Sequence, residues 1–275
     1  MSVDLECSRA DNPSVGSAQP AGAAGPPLWA ERCHSVLSPL LLLVVWEILS
    51  REGVLDARFF SSPTKILIVF GRLLESGELL YHLRVSLVRI VLGLLLGGIP
   101  AIILGLSMGL FPLLRAAVKP LVAVIYPIPK LALLPLVLLV FGLGEMSKIV
   151  VIATGVFFMV LLNTVAGVMN IERIYLDVAR NFGASRLAFY WTVALPGALP
   201  MILTGIELAI GVAFLLIVAA EFVGANSGIG YLIWNAWQVF SVEVMFAGLI
   251  AISLMGYATS LLLEFLHGKL IPWKQ

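Results

Sequence analysis

Ser107 stands in Gly105-Leu106-Ser107-Met108-Gly109, the G-x-S-x-G spacing that presents a serine oxygen for nucleophilic attack. Such a serine needs a base within hydrogen-bond reach, usually a histidine. The histidines are His34, His82 and His267, and none falls well inside an apolar run. The same glycines belong to a four-residue ladder of Gly93, Gly97, Ala101, Gly105 and Gly109. A ladder of that kind lets two helix backbones approach closely in lipid, so packing explains the motif without chemistry. No G-x-x-x-x-G-K-[ST] phosphate loop and no H-E-x-x-H pair occurs. Gly142-Leu143-Gly144-Glu145-Met146-Ser147 lacks the last glycine of G-x-G-x-x-G and follows no strand, so it reads as a turn. No catalytic residue, metal ligand or cofactor is expected. Three charges in apolar surroundings remain: Lys130 among Pro127, Pro129 and Pro135, then Glu207 and Glu221 in one apolar run. Ionisable groups at membrane depth are costly and mark solute paths by default. The structural alternative is snorkelling, or pairing of Lys130 with an acid such as Glu207. Arg89 and Glu264, near the ends of runs, read as snorkelling groups.

The elements that would hold these residues follow from composition. Of 275 residues, 60% are hydrophobic and 12% charged, far from the balance of a soluble domain. The net charge of +1 gives no field that would draw nucleic acid. Residues 1–34 are rich in Pro and Gly, hold both cysteines (Cys7 and Cys33, read as free thiols), and are expected to form a disordered cytoplasmic tail. Six apolar runs fill a transmembrane domain over 35–275. They lie at about Ser35 to Leu49, between Arg89 and Arg115, from Lys119 to about Leu143 with proline interruptions, between Lys148 and Glu172, from about Leu199 to Val223, and between Glu243 and Glu264. About 20 apolar residues cross the hydrocarbon core as a helix, and lipid offers the backbone no other partner. The fold class expected is therefore an all-α integral membrane protein of about six spans. With the N-terminus inside, cytoplasmic segments carry nine Lys and Arg and outer segments six, and 225–243 carries none. Gly205, Ala209 and Ala213 repeat the small-residue ladder on the fifth run.

Between the fourth and fifth runs lies a polar segment, about 171–198. Ile174, Val178 and Phe182 recur at helical spacing with Asp177 and Arg180 beside them, so a short amphipathic helix is expected, stopped by Gly183 and with a second break at Pro196. Its sticky face fits a partner's groove, or rests on headgroups. Asp177-Val178-Ala179, three residues, Gly183-Ala184, then Val193-Ala194-Leu195-Pro196 resembles the EAA loop of ATP-binding-cassette importer permeases. Asp for Glu, Val for Ala and Val for Ile are its departures. Further resemblance to the nitrate/sulfonate/taurine branch runs through Pro129-Lys130-Leu131-Ala132-Leu133-Leu134-Pro135, Phe141-Gly142-Leu143-Gly144-Glu145 and Ala220-Glu221-Phe222-Val223-Gly224 with Ser227-Gly228-Ile229-Gly230.

The resemblance implies a type I importer permease bundle in a bacterial cytoplasmic membrane. It also implies a coupling loop formed by Asp177, Val178, Ala179, Gly183, Ala184, Leu195 and Pro196. The partners implied are two copies of a cytoplasmic ATPase, an extracytoplasmic substrate-binding protein and a second copy of the chain. The solute implied is a small anion. A stand-alone secondary transporter is the alternative, and it usually shows internal repeats. None is evident by eye.

Overall fold

The computed structural model describes residues 28–56 and 58–271, and the chain divides between Ile48 and Leu49 into two units. One helix, α1 (Leu28–Arg51), contains the first expected run and begins ahead of Ser35. Leu40 to Val45 on it are all exposed. Most of the expected tail, residues 1–27, lies outside the described residues.

The second unit contains α2 (Pro63–Glu75), α3 (Glu78–Leu110), α4 (Pro112–Ile125), a 3-10 turn (Lys130–Leu133), α5 (Leu134–Phe141), α6 (Glu145–Met169), α7 (Arg173–Asn181), α8 (Arg186–Phe189), a π turn (Tyr190–Ala194), α9 (Leu195–Phe222), α10 (Ile229–Gln238) and α11 (Val242–Leu270). Prolines stand where a helix needs no amide donor, in the first turns of α2, α4 and α5. Among the described residues, α3, α6, the run Tyr190–Phe222 and α11 are long and apolar enough to cross a membrane. The pair α4 and α5, bent by 85°, raises that number to five. The proline-interrupted third run is thus an elbow.

The core is built around α6, which lies between the two small-residue ladders. A Cβ on Gly93 would come within 2.5 Å of Ile152 Cγ2, one on Gly105 within 2.7 Å of Thr164 Cβ, and one on Gly97 would strike the Ala153 carbonyl. On the other side, a Cβ on Gly205 would come within 2.7 Å of Asn163 Cβ, while Ala209 and Ala213 are fully buried. Both ladders therefore act as contact ridges.

Two charges lie inside helices where the sequence expectation set span boundaries. The second span does not start after Arg89; α3 runs for 33 residues from Glu78 and carries Arg89 inside it, buried. Lys148, placed in an outer loop by its charge, is a buried residue of α6. In both cases partners inside the protein replace water.

Candidate functional site

The segment leading out of α6 turns at Asn170 and starts α7, where Asp177, Val178 and Ala179 sit. Gly183 ends this helix with φ +66°, a left-handed conformation that is costly for residues with a Cβ. The Ala184 amide then donates to the Ala179 carbonyl at 3.0 Å, which closes the helix end in the manner of a Schellman motif. Ser185 caps α8, accepting from the Ala188 amide on its hydroxyl oxygen at 3.2 Å. Ile174, Tyr175, Val178 and Phe182 are exposed, Phe182 at 86%, while Ala179 is buried. An apolar face is therefore offered outward.

Pro196 does not break the chain as expected. The preceding π turn sends the Leu195 amide to the Tyr190 carbonyl, five residues back. That widened turn absorbs the missing proline donor, and the helix runs continuously from Tyr190 to Phe222. Leu195 and Tyr190 pack on a core of Leu106, Val168, Ala198 and Ile202 from α3, α6 and α9. The end of the loop is thus packed against three spans.

Lys130 is not paired with Glu207. Its ammonium donates to the carbonyls of Ile125 and Tyr126 at 3.0 Å and of Ile128 at 2.9 Å, where α4 ends. It also lies 4.4 Å from the Phe158 ring centroid. All three donors are spent on the elbow, as a cation near a helix C-terminus favours. Glu207 is exposed on α9 and lines a cavity of about 290 Å³ with Leu203, Ser260, Leu263, Glu264 and His267.

The sequence reading missed a network at the other end of α6, about 36 Å from α7 by helix rise over that 25-residue helix. Arg89 is 2% exposed and is no snorkelling group. Its Nε and Nη2 donate to the two oxygens of Glu145, both at 2.6 Å. Its Nη1 donates to Glu221 Oε1 at 2.8 Å and to the Ser227 carbonyl at 2.7 Å. Glu221 also accepts from the Ser86 hydroxyl at 2.7 Å and the Gly230 amide at 2.8 Å. A Cβ on Gly228 would strike the Glu221 carboxylate, so only glycine fits that turn. His82 Nδ1 accepts from the Gly228 amide at 3.0 Å. Lys148 donates to the carbonyls of Leu143 and Gly144 at 3.0 and 3.1 Å. A signal was present in the sequence: Arg89 and Glu221 are opposite charges in apolar runs, and a glycine-rich turn follows the acid.

Ser107 donates to the Ile103 carbonyl at 2.7 Å, and its flanking glycines meet Thr164 and Val168 of α6. Its motif is a packing contact. Among the described residues, no group of three His, Cys, Asp or Glu could hold a metal ion.

Residues 90–274 match the family described as binding-protein-dependent transport system inner membrane component. A putative aliphatic sulfonates transport permease protein of Bacillus subtilis is 36% identical over 244 residues, covering 87% of each chain. The taurine transport system permease protein of Escherichia coli is 34% identical over 252 residues, 90% of this chain and 92% of that one. A nitrate import permease protein of Leptolyngbya laminosa is 34% identical over 197 residues, 72% and 71% of the two chains.

Proposed function

The chain belongs to the binding-protein-dependent transport system inner membrane component family, and from that footing we propose how it works. It is the transmembrane permease subunit of an ATP-binding-cassette importer. Its solute is a small anion of the sulfonate, taurine or nitrate kind, the solutes named for its relatives. Residues 171–198 dock in a cleft of a separate ATPase subunit on the cytoplasmic side. Two such subunits, a second copy of this chain and an extracytoplasmic binding protein complete the machine, in a bacterial cytoplasmic membrane.

One observation carries the docking assignment. The exposed apolar face of α7 is joined, through Tyr190 and Leu195, to a core shared by α3, α6 and α9. Closure of the ATPase subunits on ATP would bias that joint between two arrangements of the bundle. Of the three charges expected along the solute path, Glu207 faces open space. Lys130 and Glu221 act on the path through the backbone they hold.

Proteoliposomes holding the chain with its co-purified ATPase test this reading. Uptake of radiolabelled taurine should require ATP on the loop side and binding protein on the other. Uptake by the chain alone on an ion gradient would establish a secondary transporter instead.

A further inference from the structure

The two carboxylates on Arg89 are not equivalent. The Glu221 side chain is completely buried, whereas that of Glu145 is 61% exposed. Glu221 is held in addition by Ser86 and Gly230, while the Glu145 carboxylate reaches solvent, so the Glu145 bond is the one that can exchange. It opens on a cavity of about 470 Å³ that Arg84 also lines. Val85, Val88 and Leu92 supply an apolar wall to the same cavity. Glu145 is the first residue of α6, so an anion there also meets the positive end of that helix.

We propose that this cavity binds an oxyanion carrying an alkyl tail, and that Glu145 is its resting occupant. The Nε–Nη2 edge of Arg89 is the fork that grips two oxygens of a carboxylate, sulfonate or phosphate side by side. With the Glu145 carboxylate swung aside, Arg84 and Arg89 are the charged residues left on the cavity wall, which becomes more positive. The head group then takes the place of the Glu145 oxygens, and the tail lies on Val85, Val88 and Leu92. Two sources share this chemistry: an alkanesulfonate in transit, a choice that rests on the importer reading, and an anionic phospholipid from the bilayer.

The test uses the full chain in phosphatidylcholine nanodiscs, which requires no ATPase. Binding of hexanesulfonate is followed by calorimetry for the wild type, Glu145→Gln and Arg84→Gln. In a second arm, nanodiscs contain phosphatidylglycerol, and lipid retained per chain is counted by native mass spectrometry. Glu145→Gln removes the competing charge and should tighten binding about fivefold, while Arg84→Gln should weaken it. The arm that responds identifies the source. A folded Glu145→Gln protein that binds neither probe more tightly, with Arg84→Gln also unchanged, overturns the proposal. That result would leave ATP-driven uptake, measured separately, standing or falling by itself.

Discussion

Arg89 Nη1 lies 2.8 Å from Glu221 Oε1 across 132 residues of sequence, and the pair ties the middle of α3 to the end of α9. Removing one member of a buried ion pair leaves the other charged and alone, at a cost of about 3–5 kcal/mol. Arg89→Met should therefore lower the melting midpoint of the purified protein strongly. Glu145→Gln leaves Arg89 paired with Glu221 and should lower it less. The reverse order in a scanning-fluorescence melt would mean that Glu145 holds the network.

The ladder on α3 predicts a contrast between two glycines. Gly97→Ala puts a methyl group against the Ala153 backbone, and overpacking of this kind costs about 1–3 kcal/mol. Gly71→Ala on α2 meets nothing within 4 Å and should be neutral or gain about 0.5–1 kcal/mol of helix stability. Equal melting midpoints for the two variants would show that α3 and α6 can separate without cost.

These two cases mark what was legible in the sequence. The ladders were readable because small-residue spacing is local and leaves few ways to pack in lipid. The stop at Gly183 was readable for the same local reason. Arg89 and Lys148 were misplaced because charge was taken to mark a span boundary. Arg89 finds Glu145 and Glu221 only once distant chain folds against it, and Lys148 turns back on the carbonyls of the turn that precedes α6. Pro196 was misread because the compensating π turn lies in the residues before it, where no residue type announces it.

Lys130 holds the elbow through three carbonyls, and Lys130→Met should leave them without that donor and loosen the elbow. Melting midpoint and transport are expected to fall together, with Lys130→Arg keeping most of both. A Lys130→Met protein with a normal midpoint and lost uptake would show instead that the ammonium meets the solute.

Orientation can be read by labelling in a protein lacking Cys7 and Cys33. Asn226 and Ser185 are both exposed, one beside the charge network and the other beside α8. Asn226→Cys should react with an impermeant maleimide on intact cells, and Ser185→Cys only after permeabilisation. The opposite pattern would invert the topology.

The most direct measurement is made at Gly183. Its φ of +66° is strained for any residue with a Cβ, yet a Cβ there meets nothing within 4 Å. Gly183→Val therefore strains the conformation of the loop, at a cost of about 1–2 kcal/mol. Co-purification of the ATPase with this variant, quantified against the wild type, should fall about tenfold, with the melting midpoint of the bundle unchanged and ATP-driven uptake lost in proportion. A Gly183→Val protein that retains its full share of ATPase and full uptake would contradict the assignment of residues 171–198 as the coupling loop.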